Sequence, residues 1–149
     1  MKRAAWFGIL TGLRVSDILK LRWEDIVPHI SGGWALDIIT EKTDTPATVP
    51  INNEALEMCG ERGTGLVFKG FKRSMMREPF KAWLKAAGIT RPFTFHGLRH
   101  TFAGLQINGG TDIYTLCGLI THSSVKTTEI YLDQFSPRAA EAVNKLSLK

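Results

Sequence analysis

The sequence gathers groups that seek phosphate or move protons into four short segments. Arg14 lies in Thr11-Gly12-Leu13-Arg14-Val15-Ser16-Asp17, and Lys42 in the polar run Glu41-Lys42-Thr43-Asp44-Thr45-Pro46. His96 and Arg99 lie in Phe95-His96-Gly97-Leu98-Arg99-His100, and His122 and Tyr131 follow, nine residues apart. Two guanidinium groups can hold the non-bridging oxygens of a phosphodiester through forked, charge-assisted hydrogen bonds, and they stay protonated at physiological pH. Attack on phosphorus builds charge on those oxygens; losing one donor at a comparable site costs about 10²–10³ in rate. Histidines can add donors or assist proton movement. A free phenol is ionised only to about one part in a thousand at neutral pH, so it attacks phosphorus only where neighbouring positive charge or a base activates it.

Taken singly, each residue also has an ordinary reading. Arg14 could pair with Asp17 on the surface, and Arg99 could be a plain helical charge. Either histidine could be a hydrogen-bonded structural residue, Tyr131 a packing residue near a helix end, and Lys42 one of the many lysines found at turns.

The elements that must position these groups are legible from apolar spacing. A helix is predicted through Trp6–Leu10, broken at Thr11-Gly12, and a second from Ser16 as N-cap through Ile18, Leu19, Leu21 and Trp23. Trp34–Ile39 and Thr48–Ile51 read as strands of a β-hairpin whose tip carries Lys42. Asn52-Asn53 can cap a short helix to Met58, and Lys72 to Ala87 reads as one long helix ended by Gly88. Thr94 can cap a helix from His96 toward Ile107, Thr111-Asp112 starts a short one, and Ser123-Ser124 another that reaches Tyr131. Pro137 opens a last amphipathic helix to Leu146, and Tyr114, in Ile113-Tyr114-Thr115-Leu116, is expected in the core. The expected fold class is mainly α with a small antiparallel β-sheet, in one domain.

Arg73, Arg77, Lys81 and Lys85 recur every four residues along the predicted long helix. Such a stripe is either a solvated face or a surface that docks on a phosphate backbone.

The chain has 149 residues, 44% hydrophobic and 22% charged, enough for one globular domain and unlike a disordered chain. Its net charge of +5 permits a polyanionic partner such as double-stranded DNA. No apolar run approaches the roughly 20 residues of a membrane span, and the basic-then-apolar start lacks a signal-peptide cleavage site. Cys59 and Cys117 stand far apart in no metal-ligand spacing, which suits buried free thiols in a reducing compartment. No Walker-type glycine-rich loop and no carboxylate cluster suited to two magnesium ions is present, so no metal or cofactor is expected.

Together the four segments resemble the tyrosine recombinase (phage integrase) family over nearly the whole chain. Gly12-Leu13-Arg14-Val15-Ser16-Asp17 matches its Gly-Leu-Arg-x-Ser-(Glu/Asp) segment, Lys42 its hairpin lysine, and His96-Gly97-Leu98-Arg99-His100 its His-x-Leu-Arg-His segment. His122 and Tyr131 match its later histidine and nucleophilic tyrosine. The resemblance implies a catalytic domain that cuts and rejoins DNA through a 3′-phosphotyrosine, with Lys42 as general acid toward the departing 5′ hydroxyl. It also implies a homo-tetramer on DNA joined by exchange of C-terminal segments, and a cytoplasmic, nucleoid-associated bacterial protein. Members carry a preceding helical DNA-binding domain, so the chain is expected to be a fragment lacking it. One departure is Thr121, where the family commonly has glycine, which is expected to strain the turn or alter how His122 enters the site. Two other readings stay open: a catalytically silent DNA-binding module on the same scaffold, and DNA relaxation like that of a type IB topoisomerase.

Overall fold

A computed structural model describes residues 1–135. Its elements run α1 (Lys2–Thr11), α2 (Val15–Lys20), β1 (Ile26–Pro28), β2 (Trp34–Thr40), β3 (Thr45–Ile51), α3 (Asn53–Cys59), α4 (Glu78–Ala86), α5 (Gly97–Gly109), α6 (Ile113–Leu119) and α7 (Val125–Phe135). Short 3-10 turns at Trp23–Asp25 and Arg73–Met76 join them. The result is a helical domain with one three-stranded antiparallel sheet in the order β1-β2-β3. The helix expected over Pro137–Leu146 lies outside the described residues.

The hairpin runs in register from Trp34 opposite Ile51 to Thr40 opposite Thr45. Its four-residue turn closes with Asp44 N–H donating to the Thr40 carbonyl at 2.8 Å. β3 therefore starts three residues before the predicted strand and contains Pro46 and Pro50. Being an edge strand, it tolerates residues that cannot donate to a ladder. β1 was not foreseen: three residues ending in proline carry too little alternation to read as a strand.

Two predicted helices are corrected. α2 begins at Val15 with Arg14 as N-cap and stops at Lys20, not Trp23. Beyond it the chain turns extended at Leu21, whose carbonyl accepts from Val67 N–H at 2.9 Å while Trp23 N–H donates to Gly65 at 3.0 Å. That long-range pairing outcompetes helix continuation. The long helix over 72–87 is broken into the 3-10 turn and α4, with Arg77 between them at φ −95°, ψ −113°. Pro79 is the cause. In a continuous helix it would lack its N–H and clash with the carbonyl four residues back, whereas the first turn of a new helix accommodates it.

The core has two clusters that meet along α5. Phe7, Ile18, Leu36, Val49, Phe80, Phe95 and Leu98 belong to the larger, and Phe102, Ala103, Ile107, Leu116, Ile120 and Tyr131 to the smaller. Gly12 lies where α1 crosses α5. It caps α1 at φ +66°, and a Cβ there would overlap the Phe102 ring. Gly12→Ala is expected to lose about 1–2 kcal/mol to the left-handed backbone and about 1–3 kcal/mol more to crowding, read as a lowered urea midpoint.

Cys59 and Cys117 are both buried and free. Tyr114, expected in the core, is instead 73% exposed, because it falls on the outer face of α6 while Leu116 and Cys117 turn inward. Among the described residues, no helix is long and apolar enough to cross a membrane.

Candidate active site

Arg99 is the side chain around which the site is built. It projects from α5 between the two core clusters and is only 2% exposed. One guanidinium nitrogen donates to the Gly12 carbonyl at 2.8 Å and the other to the Ile120 carbonyl. These carbonyls belong to the turn ending α1 and the turn ending α6, so one buried arginine ties three helices together. Burial lowers its pKa to about 10, with Arg14 contributing, while Tyr131 and Asp17 favour its charge. It remains a cation at neutral pH.

Arg14 reaches the same place from the N-cap of α2. Its Nη1 donates to Thr121 Oγ1 at 3.1 Å. The Asp17 pairing considered from sequence does not form; Asp17 is buried and accepts the Glu41 N–H at 2.9 Å, which fixes the hairpin turn beside Lys42. Glu41 in turn bridges Lys20 at 3.0 Å and Arg73 at 3.8 Å. The tip that carries exposed Lys42 is thus tied through Glu41 to α2 and to Arg73.

α7 supplies the remaining wall. Tyr131 is 5% exposed and packs in the smaller core, its ring 5.3 Å from His100 and 6.2 Å from His122, the latter stacked at 14°. His122 Nδ1 lies 2.8 Å from Thr128 Oγ1, one turn before Tyr131 on the same helix. Arg14, Lys42, His96, Arg99, His122 and Tyr131 all line one cleft of about 310 Å³. Every predicted catalytic residue is therefore in one place, drawn from α2, the hairpin, α5, the α6–α7 turn and α7.

The cleft is electropositive, and its histidines register that. Loss of hydration lowers the pKa of His122 to about 4, helped by Arg99, Arg14, Lys42 and His96. His96 is lowered for the same first reason, then by His100 and the arginines. At neutral pH His122 is therefore a neutral imidazole. Between about pH 4 and its ordinary 6.5 the folded protein binds fewer protons here than the unfolded chain, so stability falls as pH drops through that window. His122→Gln is expected to flatten that part of the urea-midpoint profile, leaving the carboxylate-driven loss at lower pH.

The sequence did not single out His100, Ser123 or Thr127, which also line the cleft. His100 had a signal: it follows His96 by four residues on one helical face, and the rings meet edge-on at 4.9 Å. Of the basic stripe, Arg73 pairs with Glu41 and Lys81 with Glu78 at 3.1 Å, and Lys81 and Lys85 share the exposed side of α4. None of the four lines the cleft. Among the described residues no group of three metal-ligating side chains could hold a metal ion.

Known proteins are similar to this chain in sequence and in fold. The chain is 28% identical over 163 aligned residues to tyrosine recombinase XerD of Listeria innocua, covering 87% of this chain and 52% of that protein. It is 30% identical over 138 residues to tyrosine recombinase XerD of Lacticaseibacillus casei, covering 81% and 46%. It spans about half the length of these curated relatives. Among solved structures, the catalytic domain of bacteriophage HP1 integrase superposes with a TM-score of 0.71 at 26% identity, covering 97% of this chain and 80% of that one. The XerH site-specific recombinase bound to palindromic difH substrate superposes with a TM-score of 0.78 at 22% identity, covering 97% and 45%. The phage integrase family model matches residues 2–136, nearly all of the described fold and every cleft residue named above, and the chain belongs to that family.

Proposed function

We propose that this chain is a catalytic domain that cleaves and rejoins double-stranded DNA at specific sites. The observation that carries this reading is the convergence of Tyr131 with Arg14, Lys42, His96, Arg99 and His122 on one cleft. A phosphodiester entering the cleft meets two guanidinium groups for its non-bridging oxygens and a hydroxyl beside them. Tyr131 Oη attacks phosphorus as its proton passes to a neutral imidazole of the cleft, the bond to the 5′ oxygen breaks, and Lys42 from the hairpin tip gives that oxygen its proton. The 3′-phosphotyrosine keeps the energy of the phosphodiester, so a 5′ hydroxyl from another strand end can reverse the step and join new partners.

The neutral state of His122 fits this assignment. Burial first, and the surrounding cations after it, disfavour its charge; an anionic phosphate beside it favours that charge, so DNA binding draws a proton toward the ring. Arg73, Arg77, Lys81 and Lys85 are proposed as backbone contacts, acting as separate charges along the chain between β3 and α5 rather than as one helical stripe. Assembly as a tetramer through C-terminal segments, and work on the bacterial nucleoid in the cytoplasm, belong to the same reading.

The test uses the full-length protein and nicked duplexes taken from the genomic flanks of its gene. The nick lets the short fragment beyond the cut diffuse away, which traps the intermediate. A protein–DNA adduct that survives denaturant is the expected result. Binding to those duplexes without any adduct would favour a silent DNA-binding module instead.

A further inference from the structure

Thr121 occupies a conformation that threonine disfavours. Its φ is +53°, and Asp44 is the other non-glycine residue at positive φ among those described. The turn it occupies ends α6 in a Schellman arrangement: Thr121 N–H donates to Gly118 and His122 N–H to Cys117, each at 3.0 Å. The residue just past the helix cap in that turn, here Thr121 after Ile120, is ordinarily glycine, because a β-branched side chain crowds its own backbone there. A glycine would make the same two hydrogen bonds without strain.

What threonine adds is its hydroxyl. Thr121 Oγ1 accepts from Arg14 Nη1 at 3.1 Å, joining residues 107 positions apart in sequence. The preceding carbonyl, of Ile120, accepts from Arg99, and the following ring, of His122, lines the cleft. Three successive residues therefore serve the first arginine, the second arginine and the open site. Arg99 is anchored to both turns by main-chain carbonyls that any sequence would offer, whereas among the described residues the Arg14 side chain is anchored by this hydroxyl.

We propose that Thr121 is a positioning residue for Arg14: its hydroxyl fixes the angle at which the Arg14 guanidinium faces the cleft and ties it to the turn that holds Arg99. This rests on the recombinase reading for its effect on rate, but not for its effect on Arg14 itself. The arrangement exchanges local backbone strain for a preorganised phosphate clamp, as strained residues at functional sites commonly do.

Three substitutions separate the hydroxyl from the backbone. Thr121→Ser keeps the acceptor, Thr121→Val keeps the shape without it, and Thr121→Gly removes both the acceptor and the strain. In the full-length protein, Thr121→Gly is expected to melt at or above the wild-type temperature yet form adduct about tenfold more slowly, with DNA affinity unchanged within about twofold. Thr121→Val should slow similarly, and Thr121→Ser should stay within about threefold of wild type. Side-chain ¹⁵N spectra supply the arm that does not depend on catalysis: the Arg14 signals, assigned by Arg14→Lys, should broaden or shift in the Val and Gly variants and stay in place in the Ser variant. Wild-type rates and unmoved Arg14 signals in the Val and Gly variants would overturn the proposal. So would equal slowing in all three variants in step with lost stability. If the wild type forms no adduct while the spectra respond as described, the positioning role stands and the recombinase reading falls.

Discussion

Arg99→Ala is expected to lose both fold stability and strand cleavage, the first by about 2–4 kcal/mol and the second by about 10²–10³-fold. The two losses have different origins. Removing the guanidinium leaves the Gly12 and Ile120 carbonyls without their donor inside the core, and each buried, unsatisfied acceptor costs about 1–3 kcal/mol. The relief of no longer burying a charge, visible in the lowered pKa, offsets part of this. The rate loss follows from the missing phosphate donor. Arg99→Lys separates the two: a single ammonium keeps the charge but cannot span two carbonyls and offer a forked donor pair to phosphate at once. It should recover part of the stability and little of the rate. Urea unfolding and adduct formation on the same preparations check both. A fully active Arg99→Lys protein would show that the forked geometry is not what the cleft uses.

Tyr131→Phe should abolish the covalent adduct, a loss on the order of 10³-fold or more, as removal of a nucleophile does elsewhere. The ring itself stays useful. It packs among Phe102, Ile107, Leu116 and Ile120, and phenylalanine fills the same volume. What is lost is the hydroxyl, in a cleft that Arg99 also lines. DNA affinity should be almost untouched, because phosphate is held by the cations and not by the phenol. Tyr114→Phe is the matched control: Tyr114 is the other tyrosine in the chain, exposed on the outer face of α6. It should cleave like wild type.

The convergence of the candidate site was legible because few residue types can hold phosphate or move protons, and they fall in short segments. Arg14, Lys42, His96, Arg99, His122 and Tyr131 each have an ordinary reading alone and are drawn together by the resemblance of their segments to tyrosine recombinase motifs; all six line one cleft. The hairpin was legible from two short apolar runs around a polar turn. What the sequence hid was mostly long-range. Nothing local says that Leu21 would leave its helix to pair with Val67, or that Arg99 would be buried on two turn carbonyls, since a carbonyl has no letter of its own. Pro79 did carry a local signal, and the four-residue recurrence of basic side chains masked it. Tyr114 shows the limit of apolar neighbourhood as a guide: on a seven-residue helix, one position decides between core and solvent. Thr121 was visible as a departure from glycine, but only the structure shows that its hydroxyl reaches Arg14.

The most direct test of the central claim is to locate the phosphate after trapping. Full-length protein is reacted with a nicked duplex, the DNA is digested to a short stub, and the modified peptide is sequenced by mass spectrometry. The account predicts a nucleotide joined through phosphate to Tyr131, with a free 5′ hydroxyl on the released strand. A stub on Tyr114, on a serine or on any other side chain would contradict it, as would cleavage that leaves no protein-bound DNA.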